Sequence, residues 1–287
     1  MQVVAGSNPA IPTISLLVEW APEARSGVSF CEAMSQPVIL VTNDDGVHAP
    51  GISALTAALA DLGQVHVVAP DREVSASSQS LTLTHPLRAE KVAHRVHAVD
   101  GTPADCVNLA IVKLLSPRPE LVISGINRGG NLGDDIFYSG TVGGAREGTF
   151  FGIHSMAVSL AARDEHDYGH AAAFARRLAG LVLERGLPER TLLNVNVPPV
   201  KPRGVAVTVQ GQRSHESTIL EGLDPRHRTY YWIEEGGRDE WVSDEMSDIH
   251  AVRNGLISVT PLQTDSTNHR VLAPLRGWAR DMEGNES

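Results

Sequence analysis

Asp44 and Asp45 stand side by side at the end of an apolar run, Val38-Ile39-Leu40-Val41-Thr42-Asn43-Asp44-Asp45-Gly46. Two unpaired anions repel one another, so adjacent carboxylates ask for a cation, and hard oxygen donors favour Mg²⁺ or Mn²⁺. The same residue types also make an ordinary Asp-Gly turn. What separates the two readings is whether further oxygen donors arrive at the same place.

Further donors do stand at comparable positions. A second short apolar run, Val65-His66-Val67-Val68-Ala69, ends at Pro70-Asp71 and feeds the hydroxyl-rich Ser75-Ala76-Ser77-Ser78. A third, Leu121-Val122-Ile123-Ser124, breaks at Gly125 and delivers Asn127, in a glycine-rich stretch that runs through Asn131 to Asp134-Asp135. Glycines there let a backbone wrap closely around a ligand. Strand ends thus offer carboxylates, a hydroxyl and an amide, which is where an open α/β sheet places its chemistry. Ser139-Gly140-Thr141 precedes a helical stretch and presents hydroxyls beside free backbone N–H groups, a natural phosphate cradle; its plainer reading is a helix N-cap.

Those strands need helical crossovers, and the chain supplies them. Pro50 suits a first helical position, Ile52, Leu55, Leu59 and Leu62 recur at three- and four-residue steps, and Gly63 suits the C-terminal cap. Thr102-Pro103-Ala104-Asp105 is a cap-like start followed by Val107, Ile111, Leu114 and Leu115. Phe174, Leu178, Leu181 and Val182 mark a longer helix ending near Gly186, and Leu192-Leu193-Asn194-Val195-Asn196-Val197 is a strand stopped by Pro198-Pro199. Strand then helix, repeated, argues an α/β domain with a doubly wound, mostly parallel sheet, a Rossmann-like core of three layers.

At this point the residues carry a specific likeness. Asn43-Asp44-Asp45-Gly46-Val47-His48-Ala49-Pro50-Gly51 resembles the opening signature of the SurE family, the stationary-phase survival 5′/3′-nucleotidases. Val68-Ala69-Pro70-Asp71-Arg72 with Ser75, Gly101-Thr102-Pro103-Ala104-Asp105-Cys106, Ser124-Gly125-Ile126-Asn127, Gly130-Asn131-Leu132-Gly133-Asp134-Asp135 and Tyr138-Ser139-Gly140-Thr141-Val142 follow in the family's order, so the likeness runs from about residue 37 to residue 265. By resemblance, one divalent metal ion per subunit, Mg²⁺ or Mn²⁺, is held by Asp44, Asp45, Ser75 and Asn127. The implied activity is metal-dependent hydrolysis of nucleoside 5′- and 3′-monophosphates to nucleoside and phosphate, with short polyphosphate as a further substrate. Asp44 or Asp45 assists the attacking water, and Ser139, Gly140 and Thr141, with Asn43 and Asn131, bind phosphate. Two departures stand out: Ala76 replaces a glycine found in many members, and Gly143-Gly144 replace alanines, which costs helix propensity of about a kcal/mol per glycine.

Other chemistries are poorly supported. The chain has no G-x-x-x-x-G-K-[ST], no G-x-G-x-x-G after the first strand, no Asp-x-Asp at the strand tip and no H-E-x-x-H. His48 reads as a loop residue, His66 as a core histidine, and Asp134 and Asp135 as solvated carboxylates. A nucleotide- or phosphate-binding sensor without turnover is the rival reading of the same cradle. A net charge of -10 over 287 residues argues against a nucleic-acid polymer as partner. Cys31 and Cys106 form neither a disulfide framework nor a C-x-x-C pair, which favours a reducing cytoplasm, and no apolar run reaches membrane-spanning length.

The organisation expected is therefore a catalytic core over 37–200 and a C-terminal part over 201–287. The latter carries Val205-Ala206-Val207-Thr208-Val209, Thr229-Tyr230-Tyr231-Trp232-Ile233 and Leu256-Ile257-Ser258-Val259-Thr260. By resemblance, it forms a hairpin and arm that swap between the subunits of a homodimer or homotetramer. Residues 1–36 fit no part of this rhythm. Met34-Ser35-Gln36 stands where family members usually begin, and Ala5-Gly6-Ser7-Asn8-Pro9-Ala10 is what a tRNA T-arm spells when read as codons, so an over-extended gene start is expected there.

Overall fold

The computed structural model describes residues 36–162, 167–213, 218–234, 241–242 and 244–283, so the expectations about the N-terminal extension lie outside the described residues. A nine-stranded sheet forms the middle of the fold. Its first strands are β1 (Val38–Thr42), β2 (Gln64–Pro70), β3 (Ala89–Ala93), β4 (Val96–Val99), β5 (Leu121–Arg128), β6 (His154–Leu160) and β7 (Thr191–Val197). β8 (Gly204–Val207) and, further along the chain, β13 (Leu256–Gln263) complete it, in the spatial order β3-β4-β2-β1-β5-β6-β7-β13-β8. From β4 to β7 all neighbours run parallel, with order reversing on either side of β1 as a doubly wound sheet requires. β3 and β13 are antiparallel to β4 and β7.

Helices cover both faces because the parallel strands are apolar on both. In β1, Ile39 and Val41 enter the core under α1 (Pro50–Leu59), while Leu40 enters a second core under α2 (Pro103–Leu109). Val67 and Val68 divide in the same way, as do Ile123 and Val122, which is the two-residue period of a strand. On the α1 face lies α4 (Gly169–Arg185), and on the α2 face lies α3 (Gly140–Phe150). Ile52, Leu55 and Leu59 of α1 are fully buried, each worth about 1.5–3 kcal/mol. This helix ends earlier than its spacing predicts, with Ala60 as C-cap. Gly63 has another purpose: a Cβ there would lie 2.2 Å from the carbonyl oxygen of Pro37.

Thr102 caps α2 with a full capping box, its hydroxyl accepting from Asp105 N while the Asp105 carboxylate accepts from Thr102 N. β5 runs four residues further than its apolar core, to Arg128, with a register irregularity between Gly125 and Asn127 that lets the strand re-aim its last side chains. Past residue 200 the chain adds β8 and β13 to the same sheet, so the boundary expected at 200/201 falls between strands of one sheet. Further elements are the pair β9 (Gln212–Arg213) and β12 (Trp241–Val242), the hairpin β10 (Thr218–Leu223) with β11 (Thr229–Glu234), helices α5 (Asp248–Arg253) and α6 (Leu272–Glu283), and short helical turns over Ala110–Leu114, Gly133–Phe137 and His269–Val271.

Candidate active site

Asp44 and Asp45 follow β1 directly, and their carboxylates take different partners. Asp44, 5% exposed, faces the start of α3. Its Oδ1 accepts from Thr141 Oγ1 at 2.5 Å and its Oδ2 from Thr141 N at 3.1 Å. Burial pushes the Asp44 carboxyl above the ordinary range, opposed by these bonds from Thr141. An anion seated on a helix N-terminus is favoured by the unpaired N–H groups and the helix dipole. The expected phosphate cradle therefore already holds a carboxylate of the chain itself.

Asp45 is held by a different segment. Its Oδ2 accepts from Arg128 N at 3.1 Å, one residue past Asn127. Burial raises its carboxyl to about 6, the charge of Asp44 adding and the Arg128 N–H opposing. The Arg128 guanidinium lies 3.7 Å from Glu73. The phenol of Tyr168, at the start of α4, is held above its ordinary value by burial first and then by the charge of Asp45.

The hydroxyl-rich loop is tied in by backbone bonds. Val74 N donates to Asp44 O at 2.8 Å, and Ser78 N and Oγ donate to Tyr138 O and Phe137 O. Ser75 thus follows a residue bonded to Asp44, and its hydroxyl donates to Glu73 Oε1 at 2.9 Å. Ser77 lies near the carboxylate: its Oγ and Asp44 Oδ2 are 2.5 and 2.9 Å from the point a Cβ on Gly140 would occupy. Ala76 takes φ 57, the left-handed conformation a glycine adopts without cost, so the departure noted in the sequence is a real strain beside the site. Gly143, by contrast, is required by packing, since a Cβ there would sit 2.3 Å from Ser78 O. Its propensity cost is what lets α3 press on this loop.

Asn127 donates from Nδ2 to Gly129 O at 2.9 Å, leaving its amide oxygen as the donor a cation would use. Asn43 donates to Gly46 O at 3.0 Å, and its Oδ1 is buried without a hydrogen-bond partner. Ser139 caps α3, accepting from Val142 N at 3.0 Å, so its own hydroxyl proton is left for another acceptor. Asn131 is held elsewhere: Nδ2 donates to Ser159 Oγ, N to Asn196 Oδ1, and its carbonyl accepts from Asn194 and Asn196 at the ends of β6 and β7. The structure thus gathers Asp44, Gly140, Thr141 and Ser139 around one helix start. Asp45 and Asn127 lie at the adjacent β5 tip, Ser75 sits on the loop bonded to Asp44, and Asn131 is anchored toward β7.

Sequence reasoning passed over Ser77, Arg128 and Tyr168. Arg128 was within reach, being the residue after Asn127 at a strand tip; nothing local in the sequence marks Tyr168. Among the described residues no three His, Cys, Asp or Glu side chains gather to hold a metal. The candidate donors are of another kind, two carboxylates with a hydroxyl and an amide. They suit a hard divalent cation: both carboxylates are desolvated, they repel one another, and the unpartnered Asn43 Oδ1 lies in the adjoining residue.

A mostly parallel open sheet with adjacent carboxylates at its central strand tip, one clasped by a glycine-rich helix start, defines a class of α/β protein with a polar site at the topological switch point. Comparison with known proteins narrows the class. The family model for Survival protein SurE matches residues 39–217. A relative named 5′-nucleotidase SurE from Geotalea uraniireducens (strain Rf4) is 56% identical over 245 residues, 84% of this chain and 98% of the relative. One of the same name from Geobacter sulfurreducens is 55% identical over 84% of this chain and 93% of its own length. The crystal structure of the SurE protein from Aquifex aeolicus superposes with a TM-score of 0.77 at 44% identity, covering 85% of this chain and all of that one. The chain belongs to the SurE family.

Proposed function

We propose that the chain is a metal-dependent 5′-nucleotidase, hydrolysing nucleoside 5′-monophosphates, and 3′-monophosphates, to nucleoside and phosphate. The observation that carries this reading is the pair of desolvated adjacent carboxylates, one seated on the N-terminus of α3, in a chain so close to relatives named 5′-nucleotidase. Asp44, Asp45, Ser75 and Asn127 would hold one divalent ion, Mg²⁺ or Mn²⁺, with Ser77 an additional hydroxyl at the same carboxylate. Such an ion supplies charge neutralisation on the phosphoryl group and lowers the pKa of water.

The remaining chemistry belongs to the chain. Both Asp44 oxygens are taken by Thr141, which fixes that carboxylate as an oriented ligand. Asp45 uses Oδ2 on Arg128 N, and its other oxygen is the group that orients the attacking water and takes its proton. Ser139 offers its hydroxyl proton, and Asn43 and Gly140 their N–H groups, to phosphate oxygens, while Thr141 reaches phosphate only through Asp44. The hairpin of β10 and β11 leaves Ile219, Leu220, Tyr231, Trp232 and Ile233 at least half exposed, which supports a role for the C-terminal part as an arm in a homodimer or homotetramer. Among the described residues no helix is long and apolar enough to cross a membrane; cysteine usage supports a cytoplasmic home.

The test is phosphate release from a panel of 5′- and 3′-nucleoside monophosphates with Mn²⁺, Mg²⁺ or EDTA, for the wild type and Asp44→Asn. Metal-dependent release lost in the variant is the expected result. Folded protein that binds nucleotide but releases no phosphate with either metal would replace this reading with that of a sensor.

A further inference from the structure

At the opposite end of β1, β2 and β4 from Asp44 lies an open groove of about 270 Å³, its mouth facing solvent. Lys91, His94, Arg95 and His97 of the β3–β4 hairpin line it, with Gln64 and His66 at the start of β2 and the 114–117 segment. Five of these side chains carry or can take up positive charge, and no carboxylate among the described residues lines it. That is unusual in a chain of net charge -10, where acids outnumber bases 34 to 24.

Basic side chains crowd together there with no carboxylate in the lining among the described residues. Burial first, then the charges of Arg95, His94 and His97, hold His66 below its ordinary value, and burial and Lys91 do the same to His97. His97 Nδ1 is buried with no hydrogen-bond partner. Arg95 occupies φ 60 in the hairpin turn, where glycine would sit without strain, and its guanidinium is steadied by a 3.0 Å bond to Gln64 Oε1. A metal ion does not suit the groove, because an ammonium and a guanidinium share it with the imidazoles.

We propose that this groove binds a small oligophosphate of the di- or triphosphate class, at a site separate from the Asp44-Asp45 centre. Lys91 and Arg95 supply two fixed charges, and imidazoles beside them take up protons when an anion arrives. A singly charged carboxylate leaves that charge uncompensated, whereas a multiply charged phosphate chain matches it, and the bidentate guanidinium fork suits phosphate oxygens. A volume of about 270 Å³ is many times what one water needs and leaves room for more than one phosphoryl group.

The test is calorimetric titration of tripolyphosphate, orthophosphate and sulfate into the full chain in EDTA, with phosphate release from a nucleoside monophosphate followed in parallel. The variant is Lys91→Ala/Arg95→Gly, in which glycine accepts the left-handed turn and Lys91 is exposed. Tripolyphosphate is expected to bind at least about tenfold more tightly than the two single anions, to weaken by about tenfold or more in the variant, and to bind Asp44→Asn as it binds wild type. Catalysis by the variant stays at the wild-type level. The proposal is overturned by no binding at millimolar tripolyphosphate, by equal binding of sulfate, by affinity retained in the variant or lost in Asp44→Asn, or by a fall in the variant's turnover. If the double variant loses its circular dichroism, Lys91→Gln alone decides the same comparison.

Discussion

Replacing Thr141 by Val keeps the β-branch and exchanges the hydroxyl for a methyl, which cannot donate to Asp44 and must draw back from it. The hydroxyl donates to Asp44 Oδ1 at 2.5 Å inside a site where that carboxylate is 5% exposed, while the Thr141 N bond at 3.1 Å survives the change. A hydrogen bond to a charged group contributes about 1.5–3 kcal/mol. Burial already favours the protonated form of Asp44, so without the hydroxyl the carboxylate becomes a poorer anion and a divalent ion has more work to displace its proton. At 1.4 kcal/mol per decade the loss corresponds to about 10- to 150-fold in metal affinity, in line with the about 10- to 100-fold found for partners that orient metal ligands. Calorimetric Mn²⁺ titration and the Mn²⁺ dependence of phosphate release measure it, with Thr141→Ser as the control that restores the hydroxyl. Metal affinity within twofold of wild type, together with a raised KM for nucleotide, would show that Thr141 serves the phosphate and refute the argument.

Other outcomes follow from the same geometry. Gly140→Ala places a Cβ 2.5 Å from Ser77 Oγ and 2.9 Å from Asp44 Oδ2; urea melts should lose about 1–3 kcal/mol, with reduced turnover, and an unchanged melt with full activity would contradict the packing described. Cys106 is fully buried and burial, then the Asp105 charge, push its thiol well above the ordinary value; in a Cys31→Ser background it should resist an aromatic disulfide reagent at pH 8 until denaturant is added, and labelling within minutes would contradict this. Asp248 is buried, accepts from Gly133 N, Gly211 N and Ile249 N, and burial raises its carboxyl despite them. The folded state then binds its proton more tightly than the unfolded state, so its stabilising contribution grows as pH falls from the folded value toward the unfolded one near 3.8. Urea melts of wild type against Asp248→Asn across pH 7 to 4 should show the wild type gaining on the variant; a constant difference would refute it.

Local signals in the chain were legible, and distant ones were not. Thr102 and Asp105 cap α2 within three residues of each other, so the start of that helix could be read directly. Asp44, Asp45 and Asn127 announce themselves because apolar strands end in them. Gly63 misled, since a glycine after a helix is usually a cap, and its actual reason is the Pro37 carbonyl on another segment. Thr141 reads as a phosphate ligand from sequence because a helix start attracts anions; that the anion includes Asp44, 97 positions away, depends on how α3 packs. β13 and β8 joining the sheet beyond β7 and Ser77 near the Asp44 carboxylate are likewise products of tertiary contact, which no periodicity encodes.

The proposed site seats a divalent ion between Asp44, Asp45 and the tips of neighbouring segments. Anomalous diffraction from a crystal soaked in Mn²⁺ tests it most directly. A single strong peak within ligand distance of both carboxylates, with Asn127 and a serine of the 75–77 loop completing the oxygen set, is the predicted result. A peak elsewhere, or none at these carboxylates at millimolar Mn²⁺, would contradict the account.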